Sequence, residues 1–322
     1  MGVNAEIEFP VIEFRSSDLK QGTDGWHRLC KRVREACETF GCFEVVYEKI
    51  SAKVREETFE LMKELIEVPV ERKQKNVSPL PYHGWVGPCN QVSLLYEGFG
   101  LEDASNYDSV KSFAQLMWPD SHPRFCNTVH TMATQIEELN KLIWLMIIDS
   151  YGLRKKWESV MINYKSLVRF MKYMAPPPGE YEKGLFAHTD KLVSTIICDD
   201  QVSGLEIEVN GQWIKLSLSP SSFCFVVGDP LKAWSKGRLK AVNHRVMMSG
   251  DKDRFSIATF AIPVEGTIIK APKELVDEQN PQLYKDFDFM DFFLFAFSNP
   301  AKHIDSGEQL QAFASLSPPI FD

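Results

Sequence analysis

A histidine and an acidic residue lie two positions apart in the second half of the chain, at His188 and Asp190. On a strand, side chains two residues apart point to the same face, so this imidazole and this carboxylate would be aimed at one point. His244 follows in another strand-like segment, 241–248. Two histidines and one carboxylate form a ligand set that holds Fe(II) and leaves coordination positions open. We therefore predict His188, Asp190 and His244 as metal ligands.

The remaining histidines are weaker candidates for metal binding. His303 and Asp305 repeat the spacing, but no histidine follows them, and Asn299, Pro300 and Gly307 indicate a solvated loop. The other four lie in helical segments or beside glycine and proline, and we expect none of them to bind metal: His27, His83, His122 and His130.

An arginine and a serine follow the last predicted ligand at a spacing that also fits a binding site. Arg254 and Ser256 share strand parity, so both side chains face the same side. A buried arginine requires an anion, and its guanidinium matches a carboxylate in a two-point contact. The serine hydroxyl can donate to the same group. After the His-x-Asp…His pattern, this pair predicts a carboxylate site for a cosubstrate that chelates the metal.

The composition excludes several classes of protein. The chain has 322 residues, 44% of them hydrophobic and 25% charged, with a net charge of −8. These are ordinary globular values, and a negative chain is a poor partner for nucleic acid or anionic membranes. Seven cysteines without a C-x-x-C pair, and no evident secretory signal or membrane span, favour a cytoplasmic protein with reduced thiols.

The elements that must position these residues change character along the chain. Helical periodicity dominates 1–160, except that 42–47 is strand-like and the glycine- and proline-rich stretch 76–120 is expected to form loops. Short alternating segments fill 161–265, and Asn210-Gly211 between two of them predicts a hairpin. The phenylalanine-rich segment in 266–322 is expected to be helical. We predict a single α+β domain, 1–322, with an antiparallel sandwich or barrel flanked by helices. The predicted helices are 24–40, 51–68, 123–151 and 286–297.

Further motifs accompany the residues above. They are Phe40-Gly41-Cys42-Phe43, Gly204-Leu205-Glu206, Asn210-Gly211-Gln212-Trp213, Gly228-Asp229 and Trp234-Ser235-Lys236-Gly237. In their order and spacing, over nearly the whole chain, these motifs resemble the plant Fe(II)/2-oxoglutarate-dependent dioxygenases.

The resemblance implies a fold and a set of site residues. The expected fold is a distorted double-stranded β-helix, or jelly roll, flanked by helices. His188, Asp190 and His244 would hold Fe(II), while Arg254, Ser256 and Tyr173 would hold 2-oxoglutarate. O2 would be the second cosubstrate, and ascorbate is expected to support activity. The family usually has an asparagine two residues before the tyrosine; this chain has Met171, which cannot donate a hydrogen bond.

A narrower resemblance concerns the substrate. Residues 169–173, Arg-Phe-Met-Lys-Tyr, and Lys191 after the His-Thr-Asp triplet are similar to the dioxygenases that make alkenyl and hydroxyalkyl side chains in glucosinolate metabolism. The resemblance implies oxidation of a small specialised metabolite by hydroxylation, desaturation or oxidative demethylation, with succinate and CO2 as co-products. It does not identify the substrate.

Strand parity extends the cosubstrate face outward to Arg169, Phe260 and Ile262, which we predict to line the substrate cavity. Two alternatives remain open: Phe260 packs in the core, or Arg169 forms an internal salt bridge. The segment around 82–85 and the phenylalanine-rich segment 287–297 are expected to close the mouth of the cavity.

Two other functions remain open. One is a non-catalytic jelly-roll protein that binds a small molecule and keeps a vestigial metal site. The other is a zinc hydrolase, but the chain has no H-E-x-x-H motif and no evident base, and Arg254 would be unexplained. We expect a monomer whose partner is a small molecule.

Overall fold

The computed structural model describes residues 8–88, 93–276 and 281–316. Cys89, one of the seven cysteines expected to be reduced, lies outside the described residues. The other six are unbridged. The strands are β1 (Val11–Phe14), β2 (Cys42–Tyr47), β3 (Tyr96–Glu102), β4 (Tyr164–Tyr173), β5 (Tyr181–His188), β6 (Ser194–Asp199), β7 (Leu205–Val209), β8 (Gln212–Lys215), β9 (Ser222–Val227), β10 (His244–Ser249), β11 (Arg254–Pro263), β12 (Ile268–Ile269) and β13 (Phe287–Asp288). The α-helices are α1 (Asp24–Thr39), α2 (Ala52–Ile66), α3 (Val70–Lys73), α4 (Tyr107–Met117), α5 (Pro123–Ser150), α6 (Trp157–Val160), α7 (Asp229–Trp234), α8 (Phe289–Ala296) and α9 (Gln309–Ala314).

Two sheets pack face to face as the layers of a jelly roll. The larger has the strand order β1-β2-β9-β6-β11-β4-β3, and the smaller has the order β5-β10-β7-β8. Side chains from both sheets meet in one buried cluster, which includes Met171 and Ala258 from the larger sheet and Leu205 and Val246 from the smaller. The predicted α+β fold with a jelly-roll core is confirmed. Within the described parts of the chain, no helix combines the length and apolar character needed to cross a bilayer.

Turn and cap residues determine where several of these elements begin and end. Asn210 and Gly211 connect β7 to β8 with φ angles of 52° and 76°, the positive pair that a type I′ hairpin turn requires. The Ser51 hydroxyl accepts a hydrogen bond from the amide of Val54 at 3.2 Å, which caps α2 as predicted. Pro123 is the first residue of α5. Proline suits this position because it has no amide hydrogen, and the first amide of a helix has no acceptor within the helix. The predicted helices and the hairpin are therefore confirmed, with small shifts at their ends.

The prediction of loops over 76–120 was wrong in its second half, where β3 and α4 lie. Glycines in β3 argued against a strand because they pack no side chain. Here they allow close approach: a Cβ at Gly100 would lie 2.0 Å from the carbonyl oxygen of His83, and one at Gly98 would lie 2.8 Å from Nη2 of Arg169. The Asn106 side chain caps α4 by accepting from the amide of Asp108. These close contacts, which sequence alone does not show, explain why glycines occur in a strand that pairs with β4.

Strand β11 lies between β4 and β6 and sets the register of the site. Arg254 on β11 is the cross-strand partner of Tyr173 on β4. Ser256 lies between Met171 on β4 and Asp199 on β6. Alternate residues of a strand share one face, so these side chains all face the space between the two sheets. The register thus brings the predicted cosubstrate residues together as expected.

Candidate active site

Two histidines and one aspartate converge where β5 pairs with β10. His188 and His244 are cross-strand partners, and their ring centroids lie 4.3 Å apart. Oδ1 of Asp190 lies 3.6 Å from Nε2 of His188 and 3.7 Å from Nε2 of His244. The three side chains form a group of potential ligand atoms all within 4.8 Å of one another. The structure therefore brings the three predicted metal ligands together.

The other nitrogen of each imidazole is held by the backbone. Nδ1 of His188 lies 2.9 Å from the carbonyl oxygen of Phe186, and Nδ1 of His244 lies 3.2 Å from that of Val242. A carbonyl only accepts, so each Nδ1 carries the proton and each Nε2 presents a lone pair towards Asp190. This is the tautomer that a metal ligand requires, and it fits Fe(II) as the metal.

The position of Asp190 relative to the strand differs from the one predicted. Strand β5 ends at His188, so Asp190 lies beyond the strand, and the expectation that one strand carries both ligands was wrong. The Thr195 hydroxyl, from β6, donates a hydrogen bond to Oδ2 of Asp190. This contact leaves Oδ1 facing the two imidazoles, so a turn and a neighbouring strand orient the carboxylate.

The electrostatics keep His188 ready to bind a cation. Burial, followed by the nearby His244, lowers the pKa of His188 to about 4, although Asp190 opposes the shift. The imidazole is therefore neutral at neutral pH, as a metal ligand must be. His303 is exposed at the end of a short 3₁₀ turn, Pro300–His303, which agrees with its prediction as a solvated histidine.

The side of the site predicted to bind a carboxylate is built around Arg254. This side chain is only 1% exposed, and its Nη2 donates to Oδ2 of Asp199 at 2.9 Å. Its Nε donates to the carbonyl oxygen of Val202 at 3.0 Å, and its guanidinium lies 5.6 Å from the ring centroid of Tyr173. The Ser256 hydroxyl is buried and has no hydrogen-bond partner among the described residues. An orphaned hydroxyl beside a buried guanidinium fits the distal carboxylate of 2-oxoglutarate.

Tyr173 and Met171 complete this side. Burial, followed by the neighbouring Tyr96, raises the pKa of Tyr173, so its hydroxyl keeps its proton and can donate. That hydroxyl faces Sδ of Met171 at 3.7 Å, and a thioether is a weak acceptor. The hydroxyl hydrogen of Tyr173 is therefore nearly free for a stronger acceptor. Met171 itself offers no hydrogen-bond donor.

Arg169 is buried on the same face of β4, with 3% exposure. Its Nε and Nη2 both donate to the hydroxyl of Tyr96, and its Nη1 donates to the carbonyl oxygen of Gly84 at 3.2 Å. The guanidinium also lies 5.8 Å from the ring centroid of Tyr82. No carboxylate in the described chain forms an ion pair with Arg169, so the structure does not provide the internal salt bridge considered above.

The two other predicted substrate residues differ in their surroundings. Phe260 is half-buried and packs against two clusters: the one between the two sheets, and the larger one in which helices cover the outer face of the larger sheet. Ile262 is fully buried in the larger cluster, the core under the helices.

Two segments distant in sequence are in contact beside Arg169. We call their contact residues the mouth: Tyr82, His83, Phe293 and Phe297. The rings of Tyr82 and Phe297 lie 5.6 Å apart, and those of His83 and Phe293 lie 6.0 Å apart. Nδ1 of His83 lies 2.7 Å from Oε1 of Glu102, which ties this loop to β3. The two segments expected to close the mouth are therefore in contact.

Sequence reasoning missed a buried ion pair behind the metal ligands. Nζ of Lys191 donates to Oδ2 of Asp229 at 2.8 Å, to Oγ1 of Thr189 at 2.8 Å and to the carbonyl oxygen of Ser306 at 2.6 Å. Lys191 directly follows a predicted ligand, and that adjacency was the available signal. Asp199, the partner of Arg254, was also missed, because nothing in its spacing distinguishes it from Asp200 beside it.

Comparison with family models agrees with this geometry. Residues 157–263 match the 2OG-Fe(II) oxygenase superfamily, and residues 9–121 match the N-terminal region described as that of the non-haem dioxygenase in morphine synthesis. The matched ranges include the predicted metal ligands and the predicted cosubstrate residues.

Individual relatives agree with the family models. The chain is 37% identical over 320 residues to a probable 2-oxoglutarate-dependent dioxygenase, AOP1.2, of Arabidopsis thaliana, with 97% of this chain and 98% of the relative covered. It is 26% identical to the Arabidopsis 2-oxoglutarate-dependent dioxygenase AOP2, with 98% and 99% covered.

Solved structures are similar over the same length. The dioxygenase for auxin oxidation in rice superposes with a TM-score of 0.81 and 29% identity, covering 96% of this chain and 100% of that one. JOX2, in complex with 2OG, Fe and JA, superposes with a TM-score of 0.76 and 25% identity, covering 95% and 89%. The chain therefore belongs to the 2OG-Fe(II) oxygenase superfamily and is an Fe(II)- and 2-oxoglutarate-dependent dioxygenase.

Proposed function

We propose that the enzyme oxidises a small organic acid whose anionic group pairs with Arg169. The observation that carries the proposal is a buried guanidinium, on the cosubstrate face, without a carboxylate partner in the described chain. A buried charge without a counter-ion is strongly unfavourable, so a site that keeps one is suited to an anionic ligand. Hydroxylation, desaturation and oxidative demethylation of such a substrate all remain compatible with the site.

The proposed division of labour follows from the positions of the side chains. His188, Asp190 and His244 hold Fe(II), and Arg254, Ser256 and Tyr173 hold 2-oxoglutarate. Fe(II), 2-oxoglutarate and O2, when bound, would supply the oxidising chemistry, with release of succinate and CO2. Thr195 keeps Oδ1 of Asp190 directed at the metal position.

On the substrate side, Phe260 would line the apolar part of the cavity. Ile262 is buried in the core under the helices, so it would support Phe260 from behind and would not contact the substrate itself. Tyr82 and Tyr96 flank the guanidinium of Arg169 with their rings, at 5.8 and 5.9 Å from the centroids. Such a cage favours a planar anionic group, which forms two parallel hydrogen bonds with a guanidinium. A carboxylate is the commonest group of this kind.

We also propose that the chain acts as a monomeric, single-domain enzyme in the cytoplasm on a specialised metabolite. Helix α5 supports the single domain, because it packs against helices α1 and α2 and also against strands β6 and β11 of the larger sheet. Sedimentation analysis of the purified protein tests the monomer, and a fluorescent fusion expressed in plant cells tests the compartment.

The substrate class can be tested with matched pairs of compounds. Purified enzyme, Fe(II), ascorbate and 2-oxoglutarate are incubated with small aromatic and aliphatic acids and with the methyl ester of each acid. Product and succinate are measured by mass spectrometry. We expect oxidation of an acid but not of its ester, and we expect Arg169→Gln to abolish that preference.

Arg245→Gln is the matched control, because Arg245 pairs with Glu206 on the smaller sheet. Equal oxidation of acid and ester by the unmodified enzyme would refute the role of Arg169. Absence of succinate release with every compound, together with absence of 2-oxoglutarate binding, would instead favour the alternative of a vestigial metal site.

A further inference from the structure

The guanidinium of Arg254, which is predicted to bind the distal carboxylate of 2-oxoglutarate, also binds a carboxylate of the protein, that of Asp199. Oδ2 of Asp199 lies 2.9 Å from Nη2 of Arg254, and Asp199 is the cross-strand neighbour of Ser256. Asp199 is 6% exposed, so water screens its charge poorly. The distal carboxylate of 2-oxoglutarate, held by Arg254 and Ser256, therefore binds beside an existing negative charge.

Other groups already hold Arg254 in place. Its Nε donates to the carbonyl oxygen of Val202 at 3.0 Å, and its guanidinium lies 5.6 Å from the ring centroid of Tyr173. Gly204 leaves room for the arginine stem, since a Cβ there would lie 3.0 Å from Cδ of Arg254. A backbone carbonyl, a ring and close packing restrain the side chain without Asp199. Asp199 differs from these groups because it carries a negative charge.

A further cation approaches Asp199 from the opposite side of the sheet. Nη2 of Arg55, on α2, donates to the main-chain oxygen of Asp199 at 2.6 Å, and Nη1 of Arg55 is buried without a partner among the described residues. Asp200, half-buried next to Asp199, is a further carboxylate that interacts with Arg254. The positive charge left to attract the carboxylate of a ligand is therefore smaller than two unopposed arginines would provide.

We propose that Asp199 is a positioning residue that acts through Arg254 to limit the affinity for dicarboxylates. The proposal rests on the assignment of Arg254 as the anchor of 2-oxoglutarate. Succinate, the co-product, keeps the distal carboxylate that Arg254 binds. An anchor shared with Asp199 holds both dicarboxylates less tightly and so favours release of succinate after each turnover.

Asp199→Asn tests the proposal because it removes the charge and nearly preserves the shape of the side chain. Binding is measured by calorimetry on the Ni(II)-loaded protein, which binds ligand without turnover. Three ligands are compared: 2-oxoglutarate, succinate and pyruvate. We expect Asp199→Asn to tighten the binding of 2-oxoglutarate and succinate about fivefold, since one like charge is removed at close range. Pyruvate has no distal carboxylate, so its affinity should stay unchanged.

Glu206→Gln is the matched control. Glu206 is also a buried strand carboxylate paired with an arginine, Arg245, at 2.9 Å, but it belongs to the smaller sheet. This variant should leave the affinities for all three ligands unchanged. Asp199→Ser is measured alongside as a second neutral variant, in case the asparagine disturbs folding.

Unchanged or weaker binding of 2-oxoglutarate in Asp199→Asn, with pyruvate binding intact, overturns the proposal. Loss of pyruvate binding in both neutral variants also overturns it, because Asp199 is then a structural residue. A different result separates this inference from the assignment beneath it. If Arg254→Gln leaves the affinity of the otherwise unmodified protein for 2-oxoglutarate unchanged, Arg254 is not the anchor and the assignment itself fails.

Discussion

At the scale of single residues, the site depends on backbone contacts that fix imidazole tautomers. The carbonyl oxygens of Phe186 and Val242 accept from Nδ1 of the two histidines, so Nε2 of each is available to a metal. The sequence predicted the ligand candidates because His188 and Asp190 are followed by His244 and then by the Arg254–Ser256 pair, a context that the second His-x-Asp triplet lacks. It did not show that Asp190 lies beyond the strand or that Thr195 orients it, because both depend on the turn after β5.

His188→Ala and His244→Ala should each abolish turnover and metal binding, because two remaining ligands hold Fe(II) poorly. Metal content after dialysis and succinate release measure the effect. His303→Ala is the matched control: it belongs to the second His-x-Asp triplet and is exposed, so activity should be unchanged. Wild-type metal content in either ligand variant would contradict the assignment.

Arg254→Lys should raise the apparent KM for 2-oxoglutarate with a much smaller effect on the KM for substrate. The loss of a charged hydrogen bond amounts to about 1.5–3 kcal/mol, or roughly ten- to a hundredfold in affinity. Initial rates at varied 2-oxoglutarate measure the change. Arg245→Lys removes an equivalent guanidinium from the smaller sheet and should leave this KM unchanged. An unaltered KM in Arg254→Lys would make Arg254 structural.

At the scale of elements, alternation and turn chemistry predicted the β core, and helical periodicity with its caps predicted the long helices. The Asn210-Gly211 turn is local, so two residues sufficed to predict it. Strand β3 was missed because its glycines are explained by distant partners, Arg169 and the backbone of His83. Local signals therefore predicted local elements, whereas β3 exists because of tertiary packing.

Lys191 joins the turn after β5, which carries Asp190, to two other elements. Its ammonium contacts Asp229, the first residue of α7, and the carbonyl oxygen of Ser306 near the C-terminal helix. Lys191→Met should weaken metal binding roughly tenfold, as is typical when a supporting contact behind a ligand is lost. Titration with Mn(II) at a temperature where the protein is folded measures the affinity.

Lys73→Met is the control for this change. Lys73 also forms a buried ion pair, with Glu97 at 2.8 Å, but away from the metal ligands. Both variants should lower the melting temperature, because each leaves a buried carboxylate unpaired. Only Lys191→Met should weaken metal binding. Equal metal affinity in both would reduce Lys191 to a stabilising residue.

At the scale of the whole molecule, the mouth joins parts of the chain that lie far apart in sequence. Tyr82 belongs to the loop before β3, whereas Phe297 follows α8, and their rings lie 5.6 Å apart. Tyr82 has a φ of 63°, a left-handed conformation that is uncommon for a tyrosine. The carbonyl oxygen of the nearby Gly84 accepts from Arg169, so closure of the mouth and the proposed anion site are structurally linked.

Phe297→Ala should loosen the mouth while leaving the metal and cosubstrate residues untouched. We expect the ratio of succinate to oxidised product to rise roughly twofold or more, because a closed site keeps the substrate in place and excludes side reactions. The affinity for 2-oxoglutarate should not change. Leu294→Ala is the matched control on α8, since Leu294 is 50% exposed. An unchanged ratio in Phe297→Ala would show that this contact stabilises the C-terminal segment and does not control the reaction.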